Sequence, residues 1–121
     1  MILKSATVLL ATFLSSASVV SAQDPIQVDP KHYKLEFENE QVRVLRIIYG
    51  PHEKSVMHHH ADGQIVYLTD IDARSTMQNG NSQEEHVKAG ATSWGTAETH
   101  KIENLSDKPF EAILIELKTK R

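Results

Sequence analysis

The feature that most constrains this chain is the close spacing of its turn residues. From residue 33 onward, glycine, proline, aspartate and asparagine recur at short intervals, and no segment between them sustains the apolar period of a helix. Several segments instead alternate apolar and polar residues, which is typical of half-buried strands. The predicted strands are Tyr33–Glu38, Gln41–Tyr49, Val56–His60, Gln64–Asp72, Ser82–Lys88, Ser93–Gly95, Thr99–Asn104 and Phe110–Lys118. So many short strands predict an all-β sandwich or closed barrel, since closure removes exposed strand edges.

The first 22 residues have the composition of a secretory signal. Lys4 precedes an apolar run, and small residues suited to a cleavage site end the segment at Ala22. A membrane anchor is the alternative, but the run is shorter than the ~20 residues that a spanning helix needs. We therefore expect cleavage after Ala22, a periplasmic or secreted protein, and no membrane span in what remains.

The rest of the chain reads as a single domain. Residues 23–39 are predicted to form an N-terminal arm and the first strand, and residues 40–118 the β-barrel domain. The formal net charge is −3, so a basic surface for nucleic acid is not expected. Cysteine is absent, which excludes disulfides, zinc–thiolate sites, iron–sulfur clusters and thiol catalysis.

Histidine carries most of the chemical information. Three of the seven histidines are consecutive, and on a strand His58 and His60 point to one face while His59 points to the other. Such a pair can begin a metal site, to which Gln64 could add an oxygen donor and His100 a third imidazole. The triplet can equally be a solvated surface, and Gln64 and His100 each fit ordinary structural roles. The remaining histidines, at positions 32, 52 and 86, lie beside charged residues and are predicted to be at the surface.

Two segments resemble the conserved motifs of the cupin superfamily. Gly50, a spacer, His58-x-His60 and then Gln64 resemble the first motif, which usually ends in glutamate. In the second motif a glycine, a spacer, a proline and a glycine precede a histidine and an asparagine. The residues that resemble this motif here are Gly90, Thr96, His100 and Asn104. The resemblance covers about residues 40–118, and the intervening segment has the length found in small single-domain bacterial cupins.

This resemblance implies a jelly-roll β-barrel with a metal in its mouth. The family's ligand positions correspond to His58, His60 and His100, with Gln64 at the usual glutamate position. The bound ion would be one divalent transition metal, namely iron, manganese, nickel, copper or zinc. Asn104 would be structural, and four apolar residues are candidates to line the barrel: Ile65, Tyr67, Trp94 and Ile102. Pairing of barrel edges into a homodimer is also implied.

The sequence departs from the family pattern at three positions. Gln64 replaces the glutamate, Thr96 the proline and Glu98 the second glycine. Three histidines and an amide would leave the charge of a divalent metal uncompensated, which favours an anionic or ionisable substrate or a bound hydroxide. Glu98 shares strand parity with His100 and could replace the missing carboxylate, although a solvated turn residue is the alternative.

The function most consistent with these observations is that of an exported metal-dependent enzyme of dioxygenase-like type acting on a small organic molecule. No individual catalytic residue can be assigned from the sequence. The alternative is a non-catalytic module that binds a metal or small molecule, as a sensor or metal-holding protein. A scaffold with a vestigial site, kept for dimerisation, is disfavoured by three intact histidines. Fold by itself does not decide among these functions.

Overall fold

The computed structural model describes residues 23–119, and the predicted signal segment lies outside them. In this described range, one helical turn precedes nine strands. Their bounds are α1 Pro25–Val28, β1 Tyr33–Glu38, β2 Val42–Tyr49, β3 His58–His60, β4 Gly63–Tyr67, β5 Ile71–Met77, β6 Ser82–Val87, β7 Thr92–Gly95, β8 Glu98–Asn104 and β9 Phe110–Leu117. Within the described residues no helix has the length and apolar character needed to cross a bilayer.

The strands form two antiparallel sheets. The five-stranded sheet has the order β1-β2-β9-β4-β7, and the four-stranded sheet has the order β3-β8-β5-β6. Neighbouring strands are mostly distant in sequence, because the chain passes repeatedly from one sheet to the other. The prediction of an all-β jelly roll is confirmed, in the form of two sheets rather than one closed barrel.

Strand alternation explains how the two sheets enclose a core. In β9 the residues that alternate toward the interior are buried, ending with the carboxylate of Glu116. Tyr49 of β2 stacks on Phe110 of β9 with ring centroids 4.7 Å apart. Ile71 and Ala73 complete the cluster from the four-stranded sheet. The interior is therefore apolar along most of its length. Burying this apolar surface lowers the free energy of the folded chain.

The segment predicted as one strand from Gln64 to Asp72 is two strands in different sheets. β4 ends at Tyr67, and β5 begins at Ile71 and extends beyond the predicted bound to Met77. Between them the backbone N–H of Leu68 donates to the carbonyl of Glu111 as the chain leaves the first sheet. The prediction of one strand was wrong because a short β-branched run does not reveal where a chain changes sheets.

The N-terminal arm contains a local structure that its sequence pattern does not predict strongly. The side chain of Asp24 accepts a hydrogen bond from the N–H of Ile26, and Pro25 occupies the first helical position. Both are favourable at a helix start, so one helical turn forms here. This turn packs against β3, where the backbone N–H of His59 donates to the carbonyl of Gln23. The arm therefore lies against the strand that carries the histidine triplet.

Candidate metal centre

Three histidines from two paired strands converge in the interior. β3 and β8 are antiparallel, with His58 directly opposite His100. His60 shares the face of His58, and the possible ligand nitrogens of the three side chains all lie within 4.8 Å of one another. Their exposed fractions are 0%, 7% and 9% for His58, His60 and His100. His59 alternates away and its Nδ1 pairs with the hydroxyl of Thr99 at 2.9 Å.

The Nδ1 atoms of His58 and His60, the two β3 histidines of the cluster, are held by hydrogen bonds. Nδ1 of His58 donates to the carbonyl of Val56 at 2.8 Å, since a carbonyl can only accept. Nδ1 of His60 lies 3.0 Å from Oε1 of Glu116. Both contacts fix the orientation of the ring and leave Nε2 as the nitrogen that faces the cluster.

The third imidazole is held in the same way. Nδ1 of His100 lies 2.8 Å from Oε1 of Glu98 and 3.3 Å from the hydroxyl of Ser75. Its Nε2 is buried and has no hydrogen-bond partner among the described residues. A buried polar atom without a partner carries a desolvation cost that a bound ion would relieve. Three imidazoles with anchored Nδ1 atoms therefore fit a transition metal bound through nitrogen.

Burial also keeps these side chains in the form that binds metals. It lowers the pKa of His58 to about 4, with the neighbouring His60 adding to the effect. It lowers the pKa of His100 to about 3, again with the other histidines contributing. Both rings are consequently neutral near pH 7, and a neutral imidazole is the ligand form.

Glu116 connects the cluster to the N-terminal arm. Its Oε2 lies 3.4 Å from the guanidinium of Arg43, which in turn binds both carboxylate oxygens of Asp24 at 2.8 and 3.0 Å. The hydrogen bonds from Arg43 hold the pKa of Asp24 below its usual range. Sequence analysis missed Glu116; the available signal was a glutamate at an inward position of an otherwise apolar strand. Glu116 contacts His60 directly, and Arg43 and Asp24 hold Glu116 from outside the cluster.

Tyr33 is a second group at the site that the sequence analysis did not identify. Its hydroxyl lies 3.0 Å from Nε2 of His58 and 2.6 Å from the hydroxyl of Tyr49. Because Nδ1 of His58 carries the proton, Nε2 accepts this bond from Tyr33. Burial and the neighbouring Tyr49 raise the pKa of Tyr33, so it is a neutral phenol. A metal on His58 would displace this hydrogen bond and leave the phenol oxygen beside it.

The structure does not bring Gln64 to the histidines. It lies in β4 opposite Trp94, on the face away from Ile65 and Tyr67, which line the interior. The expectation that Trp94 lines the interior was wrong, because this side chain is 54% exposed on the outer face. Of the two predicted oxygen donors, it is Glu98 that reaches the cluster. Burial and the charge of Glu85 raise its pKa.

A cavity of about 100 Å³ opens beside the imidazoles. His60, His100 and Tyr33 are among its lining residues, and most of the others are aliphatic or aromatic. Ile65, Tyr67 and Ile102 line it as predicted, with Phe110 and Leu114 among the others. An open face of the cluster therefore meets a small apolar space.

The other histidines lie elsewhere. His52 and His86 are exposed, as predicted. The prediction that His32 is at the surface was wrong: only 4% of it is exposed, and its Nδ1 binds the carboxylate of Asp29 at 2.8 Å. It stacks on Tyr49 with ring centroids 4.2 Å apart. Its polar sequence neighbours gave no indication of this burial.

Asn104 has the structural part that the motif implies. It is fully buried, and its side-chain nitrogen donates to the carbonyls of Gly50 and Lys108 at 3.0 and 2.8 Å. Its side-chain oxygen accepts from the N–H of Ser106 at 3.0 Å. These bonds fix the turn between β8 and β9.

Comparison with known proteins gives results for structure alone. No protein-family model matches the chain, and no curated protein sequence matches it. A cupin domain from Bordetella pertussis superposes with a TM-score of 0.66 at 24% identity, covering 72% of this chain and 92% of that one. An RmlC-like cupin with a double-stranded β-helix fold from Methanocaldococcus jannaschii gives 0.55 at 14%, covering 74% and 83%. The polyketide cyclase RemF from Streptomyces resistomycificus gives 0.54 at 11%, covering 70% and 63%.

These similarities agree with the all-β arrangement of two sheets. At such identities they establish the fold and leave the chemistry open. The chain therefore has the double-stranded β-helix fold of the cupin domains.

Proposed function

We propose that this protein is an exported metal-dependent enzyme of dioxygenase-like type, holding one divalent transition metal through His58, His60 and His100. The observation that carries the proposal is the buried Nε2 of His100, which has no partner in residues 23–119, in a cluster whose Nδ1 atoms are all bonded elsewhere. Bound iron, manganese, nickel or copper would supply a site for a substrate oxygen and for dioxygen. Gln64 is not part of this ligand set.

The protein's own residues would supply orientation and exclusion of water. Glu116 and Glu98 hold two of the imidazoles, so their rings do not need to reorganise when a ligand binds. The hydroxyl of Tyr33 supplies a hydrogen-bond donor at the same place. The apolar walls of the cavity exclude bulk water, which strengthens the polar contacts of a bound substrate. One of the structurally similar proteins is the polyketide cyclase RemF, so a protein with this fold is named as an enzyme.

The first experiment measures the metal content of protein purified without a polyhistidine tag. We expect one equivalent of metal per chain, lost in both His58→Ala and His100→Ala and retained in His86→Ala, the matched variant of an exposed histidine. Metal lost only in the His58 variant, or retained in both, would overturn the site. A histidine triplet that scavenges ions would give the first of these results.

Catalysis is tested separately by oxygen uptake with small phenols and diketones. Uptake that needs the metal and fails in His100→Ala supports the enzyme. Stoichiometric metal without uptake for any substrate favours the alternative, a non-catalytic protein that holds a metal or small molecule. The small cavity is the observation that favours this alternative, since it leaves little room for a large substrate.

Export and assembly complete the proposal. We expect the mature chain to begin at Gln23, which mass spectrometry of the exported protein would test. We also propose a homodimer, supported by Phe37 and Trp94, which are 53% and 54% exposed on the five-stranded sheet. Light scattering of the purified protein would distinguish one chain from two.

A further inference from the structure

The cavity beside the histidines combines three properties that restrict what can enter it. It is small, at about 100 Å³. Its walls are apolar over most of their area, and its polar lining residues include His60, His100 and Glu98. An engineered apolar cavity of about 150 Å³ binds benzene, which has six carbon atoms, so by volume this one has room for about four or five non-hydrogen atoms.

The charges around the cavity are negative. Glu85 from β6 and Glu98 from β8 both line it, and none of its described lining residues is a lysine or arginine. The half-buried Arg43, which contacts Glu116 of the site, is already paired with Asp24 as well. Two carboxylates at the cavity match the two charges of a divalent metal, so the metal's charge is compensated without an anionic ligand.

Burial of an anion here would therefore cost free energy without a matching cation. A carboxylate that leaves water must find a partner charge or enough donors, and an apolar wall offers neither. An uncharged polar head pays a smaller cost. In the metal-free protein it can donate to Nε2 of His100, which has no partner among the described residues. With a metal on His58, the Tyr33 hydroxyl becomes available as a donor. This preference for an uncharged head differs from the anionic substrate that the three-histidine ligand set favours from sequence, because Glu98 and Glu85 are brought together only by the fold.

We infer that the cavity selects a small uncharged organic molecule of about four or five non-hydrogen atoms, with an apolar body and one hydrogen-bonding head, and rejects the carboxylate of the same shape. The inference deepens the proposed function, on which it rests for the identity of the site. Its content is the charge and size of the ligand, which the proposed function leaves open.

The test compares isobutanol with isobutyrate, which have the same branched body and differ in the head. Methyl shifts of Ile65, Ile102 and Leu114 in nuclear magnetic resonance spectra report binding in the cavity. Titrations are run on the metal-free protein and on the protein loaded with zinc, a diamagnetic ion. We expect isobutanol to bind at least about tenfold more tightly than isobutyrate in both forms, because the lining carboxylates act at short range. A ten-carbon alcohol, too large for the cavity, should leave these methyl shifts unchanged.

Glu85→Gln is the informative variant, because it removes one lining charge and keeps the Glu98–His100 contact. We expect it to narrow the preference for isobutanol by about fivefold. Glu40→Gln, which removes an exposed charge between β1 and β2, should leave the preference unchanged. A preference that is equal in wild type and Glu85→Gln would overturn the electrostatic argument.

The outcomes separate this inference from the proposed function. Tight binding of isobutyrate to zinc-loaded protein would refute the selection of uncharged ligands while leaving the metal site intact. Selective binding of isobutanol by a protein that takes up no metal would refute the proposed function and support the selectivity. If no probe changes the methyl shifts of Ile65, Ile102 and Leu114, the cavity is refuted as a ligand site.

Discussion

Acidification of the metal-free protein gives the most direct test of the buried histidine cluster. Burial lowers the pKa of His58 to about 4 and that of His100 to about 3. In the unfolded chain both side chains have a pKa of about 6.5. Below that value the unfolded state therefore binds more protons than the folded state. The stability contributed by these two groups is present above pH 6.5 and is lost as the pH falls toward the folded pKa values.

The magnitude follows from the two pKa differences. Between pH 7.5 and pH 5, each histidine lowers the free energy of unfolding by about 2 kcal/mol, and the two together by about 4 kcal/mol. A loss of this size is a large part of the total stability of a small domain, which is typically about 5–15 kcal/mol. The assay is urea unfolding, followed by circular dichroism at both pH values in the presence of a chelator.

A variant isolates the contribution of one ring. His100→Gln cannot titrate, so its free energy of unfolding should fall by about 2 kcal/mol less than that of wild type over the same interval. His86→Gln, which changes an exposed histidine, is the matched control and should keep the wild-type difference. If His100→Gln loses as much stability as wild type, His100 is not buried as a neutral ring and the argument fails.

Three further predictions concern residues around the cluster. Glu116→Gln should weaken metal binding by about 10- to 100-fold, because the carboxylate that orients His60 is lost. The control variant Gln64→Ala, on the outer face, should leave metal affinity unchanged. Equal effects of the two variants on metal affinity would contradict the positions of Glu116 beside His60 and of Gln64 on the outer face. Gly63→Ala should destabilise the fold by about 2 kcal/mol in urea unfolding, because a Cβ there would lie 2.5 Å from the carbonyl oxygen of Ile115; unchanged stability would show that the two strands lie further apart. Asn104→Ala should lower the free energy of unfolding by about 3 kcal/mol in the same assay, since it removes three hydrogen bonds in a fully buried position. A loss below about 1 kcal/mol would mean that water replaces these hydrogen bonds.

The local pattern of apolar and polar residues predicts the strands of this chain well, but it is a poor guide to which strands pair. The bounds of β1, β2 and β9 agree closely with the alternating segments of the sequence, because alternation is fixed by which face of one strand is buried. The change of sheet between β4 and β5 depends on hydrogen bonds to Glu111, a residue far along the chain. Such a contact leaves no mark in the local pattern.

The sequence by itself determined the all-β class, the placement of His58 and His60 on one face, and the resemblance that brings in His100. These follow from strand geometry and from motif spacing, both of which are properties of short segments. The tertiary structure alone decided the surroundings of the cluster. The register between β4 and its neighbours turns Gln64 outward. The pairing of β3 with β8 places His100 opposite His58, and the inward face of β9 brings Glu116 to His60. Long-range register, rather than residue type, therefore selects which oxygen groups hold the imidazoles.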